Sequence, residues 1–327
     1  MPAQSTLAIA DAWQRDFPLS ARPFRDIAGR HGLSETAVIG HFRELAGSGI
    51  LARIGAAVRP NAVGASTLAA IAAPPDEVEQ IAKIVSAEPA VNHNYERTHA
   101  FNIWFVVAAP ERGELAATLR RIRRSSGLDV LELPLERAYH IDLGFPLDGS
   151  GAPRRPAPPR QPVAPDAGDR ALLGAIQDGL PLVVRPYQAI ATRLGWSEAQ
   201  VLARLRHLIE GGVISRFGCI LHHRRLGLRA NAMVVWDVPD DRVDDLAGRL
   251  ARRAGITLCY RRSRRLPAWP YNLFAMVHGR ERHQVLTTIA AAEIAAGLYR
   301  YDSAVLFSQR CFKQRGARFA LPERGAA

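Results

Sequence analysis

His93 and His99 stand in the stretch NHNYERTHAFNIWF (92–105), together with Tyr95, Arg97 and Trp104. Imidazole is the side chain that can give or take a proton near neutral pH. An arginine beside it can hold a carboxylate through two parallel hydrogen bonds, and the aromatic side chains offer flat apolar surface with a polar edge. A second stretch, CYRRSRRLPAWPYNLFAMVHG (259–279), supplies Tyr260, Arg261, Arg262, Arg264 and Arg265, then Trp269 and Tyr271, and closes on His278. Arginines interleaved with rings suit a flat, aromatic, multiply carboxylated ligand. One histidine on a strand is usually a structural residue; two, clustered with a tyrosine and an arginine in a basic protein, point to chemistry. His278, at a strand end, can ligate iron, act as a second acid or simply face solvent.

The whole composition fits an anionic partner. The formal charge is +12, and of the 43 basic residues only Lys83 and Lys313 are lysines. Such a charge suits nucleic acid, a membrane surface or a polycarboxylate. No run of about 18 apolar residues is present and no export signal opens the chain, so a cytoplasmic protein with no membrane partner is expected. Cys219, Cys259 and Cys311 are far apart and form no CxxC pair, which argues against a zinc knuckle or a disulfide framework. They read as core fillers, and no metal site is assigned.

The elements that must position these residues occur twice. FPLSARPF (17–24) aligns with LPLVVRPY (180–187), HGLSE (31–35) with LGWSE (194–198), and GSGILARIG (47–55) with EGGVISRFG (210–218), all at an offset of 163. Tyr95 then aligns with Tyr260. The register slips to 170 by FNIWFVV (101–107) and YNLFAMV (271–277), where Asn102 meets Asn272, so the second half carries an insertion in its arginine-rich stretch.

Each half opens with a helix, a glycine turn, a serine N-cap (Ser34, Ser197), a second helix and a short wing, which is the winged helix-turn-helix pattern. The remainder reads strand, helix, two strands, helix, strand: 66–73, 76–87, 90–97, 101–109, 111–125 and 128–135 in one half, 230–237, 239–254, 256–262, 271–278, 280–295 and 298–307 in the other. That is a ferredoxin-like βαββαβ unit. The expected fold is therefore α+β, a tandem duplication. Winged helices occupy 1–60 and 169–224, βαββαβ domains 61–143 and 225–327, and a proline-rich linker 144–168. Strand alternation places Tyr260 and Arg262 on one face and Arg261 on the other.

A winged helix followed by βαββαβ resembles the Lrp/AsnC regulators over nearly the whole chain. The two stretches quoted first resemble, more specifically, the signatures of the siroheme decarboxylases, an Lrp/AsnC-derived enzyme group whose two subunit types are sometimes fused. The resemblance implies loss of carbon dioxide from the C12 and C18 acetates of siroheme, giving didecarboxysiroheme for heme d1 synthesis, with no cofactor beyond the iron tetrapyrrole substrate. It implies that the two halves pair within one chain, with association of whole chains open. It assigns His93 or His99 as proton donor, with Tyr95 or Tyr260 beside the acetate. Arg97, Arg261, Arg262 and Arg264 hold carboxylates, and Trp104, Trp269, Tyr271 and His278 complete the binding site. Two other readings use the same residues: a DNA-binding regulator sensing a tetrapyrrole or other effector, and a non-catalytic tetrapyrrole carrier. The second helix of each winged motif, 34–45 and 197–210, is close to neutral, so no specific DNA partner is expected.

Overall fold

The computed structural model describes residues 4–141, 144 and 163–316. Most of the expected linker, 145–162, lies outside the described residues. The first half contains α1 (Gln4–Ala12), α2 (Pro23–His31), α3 (Glu35–Gly47), β1 (Leu51–Val58), β2 (Ala65–Ile71), α4 (Val78–Ala87), β3 (Val91–Arg97), β4 (Ile103–Ala109), α5 (Arg112–Ser126) and β5 (Leu131–Ile141). The second contains α6 (Ala167–Ala175), α7 (Pro186–Leu194), α8 (Glu198–Glu210), β6 (Ile214–Leu221), β7 (Ala230–Trp236), α9 (Val243–Leu250), β8 (Ile256–Arg262), β9 (Leu273–Gly279), α10 (Arg282–Ala296) and β10 (Ser303–Gln314). These elements form two units, and each unit takes like parts from both halves.

One unit joins the two winged helices. Gly32 adopts φ +64° and ends α2, and Ser34 Oγ accepts the Ala37 N–H to start α3. Gly195 and Ser197 do the same for α7 and α8. The wings pair with each other, β1 antiparallel to β6, with Gly55 opposite Gly218. The contacts between halves are reciprocal. Arg43 on α3 donates to the Leu182 carbonyl at 2.9 Å, and Arg206 on α8 donates to the Leu19 carbonyl at 2.8 Å. Phe17 N–H reaches the Phe217 carbonyl (3.2 Å) and Leu180 N–H the Ile54 carbonyl (2.7 Å).

The other unit is a closed eight-stranded barrel, ordered β10-β3-β4-β2-β5-β8-β9-β7. Within each half the four strands keep ferredoxin-like neighbours. The halves join where β5 pairs with β8 and β10 with β3. This explains the difference from the sequence expectation: β5 and β10 run six and seven residues beyond their predicted ends, 135 and 307, because those extensions pair with the opposite half. Alternation divides the side chains. Ile103, Phe105 and Val107 of β4 pack outward in a core with residues of α4 and α5, and Leu273, Ala275 and Val277 of β9 pack outward in a core with residues of α9 and α10. Trp104, Phe274, Met276, Met233, Leu68, Leu133 and Leu306 pack together from both halves as a third core inside the barrel.

Cys219 and Cys259 are buried as expected of core fillers, but Cys311 is exposed. It stands opposite Tyr95 in the β10–β3 ladder, on the extension of β10 that the sequence reading did not foresee.

Candidate active site

The strands VNHNYER (91–97) and ITLCYRR (256–262) are β3 and β8, and they build equivalent half-sites. On β8, Tyr260 belongs to the inner core and Cys259 to the outer one, as alternation requires. Arg262 lies over the Tyr260 ring at 4.7 Å and donates from Nη1 to the Leu133 carbonyl at 2.6 Å. On β3, Arg97 lies over Tyr95 at 5.6 Å and donates from Nη1 to the Leu306 carbonyl at 3.2 Å. Two tyrosine–arginine pairs, each anchored on the terminal strand of the opposite half, thus line the barrel. The Arg97–Arg262 correspondence follows from the same 165-residue step that relates Tyr95 to Tyr260; the sequence reading aligned only the tyrosines.

Burial lowers the pKa of Arg262, a half-buried guanidinium whose partners among the described residues are the Leu133 carbonyl and Tyr260 rather than a carboxylate. A desolvated cation without a counter-ion is costly in a free protein and is relieved by an anionic ligand.

The histidines are distributed unequally. His93 stacks near Tyr95, with ring centroids 6.2 Å apart, and its Nδ1 lies 2.7 Å from Asn92 Oδ1. With a carbonyl oxygen as acceptor, Nδ1 carries a proton, so Nε2 accepts in the neutral ring and donates in the imidazolium. At the position of β9 where β4 has Ala108, His278 is half-buried and lies 3.0 Å from Thr257 Oγ1. Asn92 and Thr257 occupy equivalent places, and neither was singled out from the sequence.

His99 lies at the β3–β4 hairpin tip in an aromatic nest. Its Nδ1 accepts the Phe101 N–H (3.0 Å), and its ring meets Trp269 edge-on at 5.3 Å. Burial lowers its pKa. Trp269 also packs against Trp104 (5.1 Å) and Tyr271 (5.0 Å), so the insertion of the second half delivers its tryptophan to the hairpin of the first. Trp104 Nε1 donates to the Phe101 carbonyl at 2.7 Å.

Arg261 and Arg264, expected to hold substrate carboxylates, are paired in the structure with carboxylates of the chain. Arg264 donates to Asp237 and Asp240, each at 2.7 Å, and Arg261 pairs with Glu136 (2.7 Å) and Asp240 (3.0 Å). These acids lie on the β7–α9 loop and on β5, remote enough in sequence that only the fold reveals them.

Matches to known families follow the division into winged-helix and barrel units. The AsnC-like ligand binding domain family matches residues 62–140 and 225–313, and the siroheme decarboxylase NirDL-like HTH domain family matches 8–51 and 169–214. The siroheme decarboxylase NirDL subunit of Paracoccus denitrificans is 45% identical over 317 residues, covering 96% of this chain and 97% of that protein. The chain belongs to the siroheme decarboxylase family. Two solved structures of family members match as well. A crystal structure of the siroheme decarboxylase NirDL superposes with a TM-score of 0.70 at 30% identity, covering 97% of this chain and 95% of the other. A second, of NirDL in complex with an iron-uroporphyrin III analogue, gives 0.69 at 29%, covering 96% and 93%.

Proposed function

We propose that this chain decarboxylates siroheme within the barrel, removing carbon dioxide from the C12 and C18 acetates on the way to heme d1. The observation that carries this reading is the pair of equivalent Tyr–Arg sites lined up inside one closed barrel, one of them holding a desolvated arginine with no carboxylate partner. A planar iron macrocycle rimmed by acetates and propionates supplies the missing anions and matches the aromatic walls. The family member solved with an iron-uroporphyrin III analogue supports a ligand of this class.

Arg97 and Arg262 hold carboxylates that stay. Each reacting acetate loses carbon dioxide, the bonding electrons pass into the conjugated ring, and one proton converts the ring-bound methylene to a methyl group. His93, entering the step as the imidazolium, donates that proton from Nε2, beside Tyr95, and is left as the Nδ1–H tautomer. His99 is a poorer acid, because burial favours its neutral form; with Nδ1 accepting from Phe101, its proton sits on Nε2, where it can serve as a hydrogen-bond donor. His278 occupies the corresponding wall of the second half as a second acid or an iron ligand. Tyr260, Trp104, Trp269 and Tyr271 form apolar wall.

No further cofactor is required by this chemistry. We assign the winged-helix unit to holding the two halves together rather than to reading specific DNA. Arg43 and Arg206, on the second helix of each motif, are engaged on backbone carbonyls of the other half, and Arg204 pairs with Asp166 and Asp169. Among the described residues no helix is long and apolar enough to cross a membrane, and a cytoplasmic location, with or without association of whole chains, completes the proposal.

The deciding experiment incubates the purified chain with reduced siroheme without air and follows the tetrapyrrole by mass spectrometry. Two successive losses of carbon dioxide are expected. An unchanged mass with an altered visible spectrum refutes the enzyme and leaves a tetrapyrrole carrier; salt-sensitive binding to one promoter fragment favours the regulator.

A further inference from the structure

The insertion that distinguishes the second half is built as a closed loop. Arg265 N–H donates to the Trp269 carbonyl (2.8 Å) and Trp269 N–H to the Arg265 carbonyl (2.7 Å). Leu266, at its outer edge, is 71% exposed, whereas Trp269 is fully buried. Among the described residues Trp269 Nε1 has no hydrogen-bond partner, so the indole itself is held by packing.

What holds the loop is polar and lies outside the barrel. Arg264 bridges Asp237 and Asp240 and also reaches the Val238 carbonyl. Asn272 binds both the N–H and the carbonyl of Val238, and Ser263 donates to Glu136 at 2.7 Å. In the first half, Asn102 likewise accepts from the Ala73 N–H and donates to the Ala73 carbonyl, but among the described residues no such loop or arginine clamp is added there. The arginine of the clamp therefore comes with the stretch that the first half lacks.

The barrel interior is also graded. From Trp104 and Phe274, buried beside this loop, the inward residues pass to half-buried Ala108 and His278 at the far ends of β4 and β9. At the loop end Phe101 and Tyr271 are half-buried as well, packed on Trp269.

We propose that Arg264 is a positioning residue for the decarboxylation: clamped on Asp237 and Asp240, it keeps the 263–270 loop closed as a plug that seats Trp269 against His99 and seals the hairpin end of the barrel. The proposal rests on the reading of the barrel as the siroheme site. A sealed floor gives the macrocycle a fixed depth and keeps water from the reacting acetate.

The test compares the full-length chain with Arg264→Gln, Arg264→Lys and the double variant Asp237→Asn/Asp240→Asn. Protection of the Trp269 indole N–H from hydrogen exchange is read by NMR. The kcat for carbon dioxide release and the Kd for siroheme are measured on the same samples. In Arg264→Gln, protection of Trp269 is lost and kcat falls by up to about 10²-fold, as for a misplaced substrate, while the Kd changes far less. The double variant reproduces this, and Arg264→Lys recovers part of both readouts. Persistent Trp269 protection in both Arg264→Gln and the double variant overturns the clamp. Lost protection with wild-type kcat overturns the positioning role. A wild-type chain that releases no carbon dioxide refutes the decarboxylase reading, and with it the positioning role, while the exchange readout still decides whether the clamp holds the plug.

Discussion

Replacing Arg262 by methionine separates binding from folding. The substitution keeps an unbranched stem against Tyr260 and removes the guanidinium that donates to Leu133. In the free protein two effects oppose each other. Removing a desolvated, unpaired charge is neutral or favourable, whereas leaving the Leu133 carbonyl without its donor costs about 1–3 kcal/mol, so the net stability change stays within about 2 kcal/mol. In the complex only the loss remains. A hydrogen bond to a charged group contributes about 1.5–3 kcal/mol, which weakens binding by roughly 10- to 10²-fold. Arg97→Met should weaken binding likewise, because Arg97 occupies the equivalent place in the other half. Spectral titration with an iron uroporphyrin, paired with urea unfolding, measures both quantities. Unchanged affinity in both variants, or a stability loss well beyond 3 kcal/mol with affinity intact, would show these arginines to be structural and refute the reasoning.

Three further outcomes are expected. The double variant His93→Ala/His99→Ala should bind siroheme, seen by its visible spectrum, and release no carbon dioxide; full activity removes histidine as the proton source. Because burial lowers the His99 pKa below 6.5, the unfolded chain binds more protons just below that pH, so this group's contribution to stability is present above pH 6.5 and is lost on acidification; the Tm of His99→Gln should fall less steeply with pH than that of the wild type, and parallel curves refute the assignment. At Gly218 an added Cβ would stand 2.4 Å from the Gln14 carbonyl oxygen, so Gly218→Ala should destabilise by about 1–3 kcal/mol or more, whereas Gly40→Ala, on open helix surface, should gain up to about 1 kcal/mol in thermal unfolding.

Much of this molecule was legible before folding because its signals are local. Serine caps, glycine stops and period-two strands are read from neighbouring residues, and the 163-residue offset made each half a check on the other. The alternation that set Arg262 inward and Arg261 outward is equally local. The partners of Arg261 and Arg264 were not legible, because Glu136, Asp237 and Asp240 lie 21 to 125 residues away and are brought close only by the fold. The true lengths of β5 and β10, and with them the position of Cys311, depend on pairing between the halves, which no window of sequence contains.

The ladder between β10 and β3 also fixes an order of events. As the chain leaves the ribosome, the strand bearing His93, Tyr95 and Arg97 is complete more than 200 residues before its outer neighbour, which ends at Gln314. Until then β3 is an open edge, and the arginine's backbone acceptor on Leu306 does not exist. The first half of the site therefore matures last, by the slow, non-local closure that high contact order imposes. A chain stopped at residue 300 would forfeit the support of the strand that carries His93, Tyr95 and Arg97, not merely a tail.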